Sequence, residues 1–372
     1  MLCAKTMAYD AALQTMQLRK PYRFLAIICV LICLTACSST SSSSNTNDAT
    51  RVSNHYDGEK FHNPYWLDFD KSIWDIIRLR YFSDLKIADN QANAHLVPVV
   101  DRIADLRSAE PDEFQLTWLG HASFLIQYRG IAILTDPILS PRVSPLPLGG
   151  YPRLVPMPIG IDDLPAIDYV LISHNHYDHL DANTIEALGK SPHYLVPAKL
   201  GTWFTKLGIP PDHIHEFDWW ESREDANIIA TATPSQHWSG RGLFDRFDTL
   251  WASWHVKIAN RSIWFAGDTG YNPHQFVEIG KRLGGVDLAL IPIGAYHPRS
   301  FLNEQHVDPE QAIQIHKDIR AKRSIGMHWG TFQLSAEAID EPVKLIAQAQ
   351  RQGRINEGEF TTMSIGETRK LP

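Results

Sequence analysis

The chain has 372 residues, 44% of them hydrophobic, with a formal net charge of −7 and 17 histidines. That length and apolar content suffice for a large buried core, and the acidic balance gives no general attraction to nucleic acid or to an anionic bilayer. The sequence holds no internal repeat, glycine-rich phosphate loop or Gly-x-Ser-x-Gly elbow, which excludes repeat architectures, P-loop chemistry and serine hydrolases of that type.

From Met16, a candidate start, the chain reads basic (Arg19, Lys20, Arg23), then apolar from Phe24 to Leu34, then Leu34-Thr-Ala-Cys37. A positive segment, a short apolar segment and small residues before a cleavage point make a secretory signal over residues 1–36. Eleven apolar residues are too few to span about 30 Å of hydrocarbon, which disfavours an uncleaved anchor. The Leu-Thr-Ala-Cys string resembles a bacterial lipobox, which implies a lipid anchor on Cys37. By the same resemblance, Ser38 rather than Asp after it implies the outer membrane, with the protein facing the periplasm. All four cysteines, Cys3, Cys29, Cys33 and Cys37, fall in or at the end of the leader, so the processed chain forms no internal disulfide. Processing leaves 336 residues and, because the leader carries four basic and one acidic residue, takes the net charge from −7 to −10. Residues 37–50, rich in Ser, Thr and Asn, read as a flexible tether.

Residues 51–115 form an aromatic-rich extension expected to pack on the core, and Ile73, Trp74, Ile76, Ile77 and Tyr81 predict a broad helical stripe. A helix packed on the core is the favoured reading, and the wall of an acyl-chain groove is the alternative. Beyond it, strands are expected near 115–135, 167–173, 194–196, 228–233, 250–258, 262–266, 287–291 and 323–327. Helices are expected near 183–189, 274–283, 309–321 and 337–351, and together these elements suit a layered α/β fold in residues 116–372.

The chemistry is concentrated at predicted strand ends. The run Ser173-His-Asn-His-Tyr-Asp-His-Leu180 follows a buried strand, so His174 and His176 point at one site while Asp178 and His179 serve a second. His237, Asp268 and His328 each follow a further β-like run. Imidazoles and carboxylates without thiolate suit two Zn²⁺ ions, with Fe or Mn as alternatives, and Asp268 is placed to bridge them. Two such ions about 3.5–4 Å apart share a water and lower its pKa toward ~7, which predicts hydrolysis.

The loop and the ordered downstream His, Asp and His resemble the metallo-β-lactamase superfamily. Thr117-Trp-Leu-Gly-His-Ala122, Leu134-Thr-Asp-Pro137, Thr233-Pro-Ser-Gln-His-Trp238, Ala266-Gly-Asp-Thr-Gly-Tyr271, Gln305-His-Val-Asp-Pro309 and Met327-His-Trp-Gly-Thr-Phe332 are similar to the N-acyl-phosphatidylethanolamine-hydrolysing phospholipase D family, with a weaker echo at Phe61-His-Asn-Pro64. The resemblance implies a four-layer αββα sandwich. It implies one zinc on His174, His176 and His237, another on Asp178, His179 and His328, and Asp268 between them. Asp136 is implied to orient a ligand imidazole, with a turn Asp before Pro137 as the alternative. Asp178, Asp268 and His306 are expected to carry catalysis, and His121, Gln305, Tyr296 and His297 to contact substrate. For His306 a purely structural role stays open beside it. His297 and Ser300 depart from the acidic residue and Trp of better-known members, which leaves substrate preference less secure than reaction type.

The implied activity is hydrolysis of N-acyl-phosphatidylethanolamine to phosphatidic acid and an N-acylethanolamine, by an enzyme that forms a homodimer and partners phospholipid but no nucleic acid. Hydrolysis of a lactone, β-lactam or soluble diester is one alternative. A non-catalytic surface lipoprotein with structural metal is another.

Overall fold

The computed structural model describes residues 55–371, apart from 67–70, 72–74, 76–77, 80–82, 101–104, 145–148, 158 and 226–227. The signal, Cys37, the tether and the expected helical stripe at Ile73, Trp74, Ile76, Ile77 and Tyr81 lie outside the described residues.

Two seven-stranded sheets dominate. The first comprises β1 (Phe114–Gly120), β2 (Ser123–Tyr128), β3 (Ile131–Thr135), β6 (Tyr169–Leu171), β7 (His193–Pro197), β8 (Ile214–Phe217) and β16 (Thr368–Leu371), ordered β16-β1-β2-β3-β6-β7-β8. A short ribbon of β4 (Arg142–Val143) and β5 (Tyr151–Pro152) is inserted between β3 and β6. The second sheet comprises β9 (Ser222–Asp225), β10 (Ile228–Thr233), β11 (Ser253–Ile258), β12 (Arg261–Phe265), β13 (Val286–Pro292), β14 (Ala321–Met327) and β15 (Phe360–Thr361), with neighbours in chain order. In each sheet three antiparallel pairings are followed by three parallel ones. The two halves therefore repeat in topology without any repeat in sequence.

Side-chain alternation builds the layers. On β2, β6 and β7, Phe124, Ile126, Tyr169, Leu171 and Leu195 join the large core between the sheets, while Leu125, Val170, Tyr194 and Val196 face the opposite way. This is the period of two expected of strands buried on both faces. The outward set packs against Ile185 of α1 (Ala182–Leu188) and Phe204 of α2 (Gly201–Lys206). On the second sheet, α3 (Gln275–Leu283), α5 (Pro309–Asp318) and α6 (Glu341–Arg351) add Phe276, Ile279, Ile313, Ile315 and Ile346 to the core, and α4 (Arg299–Leu302) is a single turn. The result is the four-layer αββα sandwich.

The expected elements differ from the observed ones where side chains make a local exception. α6 begins at Glu341 rather than 337, because the Glu337 carboxylate is occupied by the amides of Ala295 and His297 and Pro342 favours the first turn. β11 begins at Ser253 rather than 250, because the Ala252 amide donates to Ser173 across the sheets instead of extending the ladder. Strands β8, β9, β15 and β16 and helix α2 carry weak periodicity and were not anticipated.

The described part of residues 55–115 packs on the core. Tyr56 and Phe61 bridge each other and join the inter-sheet cluster, as does Val97, and Leu106 joins the outer cluster.

Candidate metal centre

Parallel strands place their C-terminal ends on one edge, and the site is assembled there. Asp136 follows β3, His174 to His179 follow β6, His237 follows β10, Asp268 follows β12 and His328 follows β14. Two glycines permit the convergence. Gly267 has φ +59 and a Cβ there would lie 2.4 Å from Ser173 Cβ; a Cβ on Gly294 would lie 2.2 Å from the His328 carbonyl.

The seven side chains proposed from sequence as ligands are brought together. His176 Nδ1 lies 2.8 Å from His174 Nε2 and 3.2 Å from His237 Nε2. Asp178 Oδ2 lies 3.4 Å from both His179 Nε2 and His328 Nε2, which are 3.2 Å apart. Asp268 stands between the groups, with Oδ2 3.1 Å from His179 Nε2 and 3.9 Å from His237 Nε2, and Oδ1 3.1 Å from His328 Nε2.

Supporting contacts aim these atoms. Asp136, fully buried, meets His179 Nδ1 at 2.6 Å and accepts from the Ser173 amide and hydroxyl at 2.7 and 2.5 Å. The Ser173 hydroxyl in turn meets His174 Nδ1 at 2.9 Å. His237 Nδ1 donates to the Gln305 carbonyl at 3.0 Å, so its Nε2 carries a lone pair, directed at the cluster. A carbonyl or carboxylate on the far nitrogen is the arrangement that fixes a metal ligand's tautomer.

A divalent metal fits this donor set. Two nitrogens each ~2.0–2.1 Å from one ion at a tetrahedral angle lie about 3.4 Å apart, and the nitrogens here converge at that scale. His176 Nε2 and His306 Nδ1 are buried without a hydrogen-bond partner.

The electrostatics divide the cluster. Burial holds His174 and His237 well below the ordinary imidazole range and His176 at about 4, which keeps them neutral and able to donate electron pairs. Burial also opposes charge on His179 and His328, but the Asp268 and Asp178 carboxylates outweigh it, raising His179 well above the ordinary range and His328 to about 9. Burial likewise works to raise Asp178 and Asp268, and the surrounding imidazoles hold both well below the carboxylate range. A point that attracts positive charge this strongly favours a cation.

The other predicted residues take different places. His306 sits at the rim, its side chain 14% exposed and its Nδ1 3.7 Å from Asp268 Oδ2, with burial lowering its pKa to about 4. His121 is inside the cluster rather than on an open surface: Nε2 is 3.0 Å from Asp178 Oδ2, its ring lies 3.9 Å from that of His328, and burial lowers it to about 3. Gln305 places its carbonyl on His237, as above, and its side-chain Oε1 is buried without a hydrogen-bond partner. Tyr296 is turned away, its phenol donating to Glu341 at 2.8 Å and pushed up by burial and that carboxylate. His297 is exposed, with its amide bound to Glu337.

Sequence reasoning passed over Ser173, Asn63 and Arg241. The Asn63 amide group donates to the His237 carbonyl at 2.7 Å, and its only signal was the Phe61-His-Asn-Pro64 string. Arg241 Nη1 donates at 2.8 Å to the carbonyls of Asn175 and Leu180. No local pattern announces a clamp placed so far along the chain.

The fold and donor set define a metal-dependent hydrolase of the metallo-β-lactamase class. A profile described as Beta-lactamase superfamily domain matches residues 132–329. Among solved structures, a metallo hydrolase from Ignicoccus hospitalis superposes with a TM-score of 0.52 at 22% identity, covering 70% of this chain and 98% of that one, and shares the fold. The chain is 38% identical over 297 residues to N-acyl-phosphatidylethanolamine-hydrolyzing phospholipase D 1 of Caenorhabditis elegans, covering 77% of this chain and 82% of the relative. It is 40% identical over 234 residues to the mitochondrial protein of that description from Saccharomyces cerevisiae, covering 61% of this chain and 49% of the relative. The chain belongs to the N-acyl-phosphatidylethanolamine-hydrolysing phospholipase D family.

Proposed function

We propose that this hydrolase is a zinc-dependent phosphodiesterase of phospholipase D type, cleaving N-acyl-phosphatidylethanolamine or a related glycerophospholipid to phosphatidic acid and N-acylethanolamine. The observation that carries the reading is that two relatives from distant organisms bear that activity in their names, at 38% identity over 297 residues and 40% over 234. His174, His176 and His237 would hold one zinc, Asp178, His179 and His328 the other, with Asp268 shared. When bound, the ions would supply an acidified water and neutralise phosphate oxygens.

The chain's own groups do the rest. Asp136, Ser173 and the Gln305 carbonyl keep the ligand imidazoles in one tautomer and orientation. His121 holds Asp178 from behind. His306, its basicity lowered by burial and its side chain 14% exposed at the rim, can take a proton from water or return one to the departing alkoxide oxygen. The balance is simple: water adds its oxygen to phosphorus, the P–O bond to the ethanolamine side breaks, and that oxygen leaves with a proton.

Acylation of Cys37, outer-membrane placement facing the periplasm and homodimer formation belong to the same proposal and are supported by the sequence of residues 16–38 and by family resemblance. The test is turnover of purified, zinc-loaded protein on N-acylated and plain phosphatidylethanolamine, a soluble diester and a lactone. Release of N-acylethanolamine is expected; cleavage of the lactone alone, or of nothing, would overturn the proposal.

A further inference from the structure

Leu243 and Phe244 are 71% and 90% exposed, in the loop joining β10 and β11. Among the described residues no other large hydrophobic side chain is more than 49% exposed. Isolated exposed apolar residues are ordinary, but an adjacent Leu-Phe pair lifted almost entirely into water is a feature of surfaces that meet another apolar phase.

The loop is built rather than slack. The Asp245 carboxylate accepts from the amides of Arg241 and Gly242 at 3.0 and 2.7 Å, which closes a tight turn with Leu243 and Phe244 at its apex. Its base is fastened to the metal loop. Arg241 donates to the carbonyls of Asn175 and Leu180, its guanidinium lies 4.0 Å over the Tyr177 ring, and the Tyr177 hydroxyl donates back to the Arg241 carbonyl at 3.1 Å. The Gly240 amide donates to the Asn175 side chain at 2.7 Å. On the other flank Trp238 meets the ring of the metal-loop residue His176 at 4.1 Å. Whatever surface takes up the apex therefore brings the mouth of the metal centre with it.

We propose that Leu243 and Phe244 insert into a phospholipid bilayer and dock the metal centre against it, a proposal that rests on the lipid-substrate reading above. The occupant follows from the chemistry of the apex. It carries no charged side chain, Asp245 is bound back onto its own loop, and the chain's net charge of −7 opposes adhesion to an anionic surface. The contact is therefore apolar insertion: it needs no anionic lipid and resists salt. An ordered apex also loses little conformational freedom on insertion.

The experiment compares the full chain with its Leu243→Asp/Phe244→Asp variant by hydrogen exchange over residues 239–247, with and without phosphatidylcholine vesicles. The wild-type loop is expected to gain protection on the vesicles equally at about 0.1 and 1 M salt, and the variant to gain none. Turnover of a soluble phosphodiester should stay within about twofold in the variant, while turnover of vesicle lipid falls roughly tenfold or more. Unchanged exchange in the wild type, or equal protection in the variant, would overturn the docking role. So would protection that rises with protein concentration in the absence of vesicles, which would assign the apex to a second copy of the chain. Wild-type protection without lipid cleavage supports docking and sinks the substrate reading; lipid cleavage without protection does the reverse.

Discussion

Asp136 Oδ2 lies 2.6 Å from His179 Nδ1, and the same carboxylate accepts the Ser173 hydroxyl that contacts His174. One buried acid thus orients an imidazole in each half of the metal cluster. Asp136→Asn should lower metal affinity at both positions, by about 10–100-fold, as measured by competition with a chelator. Unchanged affinity would reduce Asp136 to a turn residue.

Asp268→Asn should lose metal and activity together, because Oδ2 stands between His179 and His237, one from each group of imidazoles, while Oδ1 meets His328. Elemental analysis beside turnover checks this. Near-normal turnover with full metal content would remove Asp268 from the shared position.

Asn63→Leu should destabilise the protein by about 1–3 kcal/mol, since it strips the buried His237 carbonyl of its donor at 2.7 Å. Urea unfolding gives the stability, and a parallel fall in metal content would show that the N-terminal segment supports the site.

A pH effect follows from His255, buried on β11, whose imidazole is lowered by burial to about 4. Its unfolded value is near 6.5. Between those values the unfolded chain binds a proton that the folded one refuses, so stability falls as pH falls from 6.5 toward 4, by ~3 kcal/mol in all. His255→Leu should shrink the stability loss between pH 7 and pH 5 by about 2 kcal/mol, read from urea midpoints at each pH.

Removing metal with a chelator should lower the unfolding temperature, and readdition should restore it in a concentration-dependent way. An ion that binds only the folded chain stabilises it by about 2.7 kcal/mol at a hundredfold excess over its Kd. A midpoint insensitive to both treatments would mean that the cluster holds no metal.

The His-x-His-x-Asp-His loop was legible because its spacing is local: a strand end and a turn bring four donors into one neighbourhood whatever the rest of the chain does. Asp268, His237 and His328 were legible through the strand patterns before them. Tyr296 and Gln305 were legible as motif members, but the contacts they make were not. Which way a phenol turns, or whether a residue works by side chain or carbonyl, depends on neighbours such as Glu341 and His237 that sequence spacing does not locate.

The amino-acid sequence by itself determined the donor set and the layered α/β class, since periodicity, strand ends and short-range spacing are properties of a chain read a few residues at a time. Only the tertiary structure decided that Asp136 serves both halves of the cluster, that Asn63 and Arg241 brace it, and that Leu243 and Phe244 stand out beside it. Those relations join residues up to 174 positions apart, and only packing the two sheets against each other brings such partners within reach.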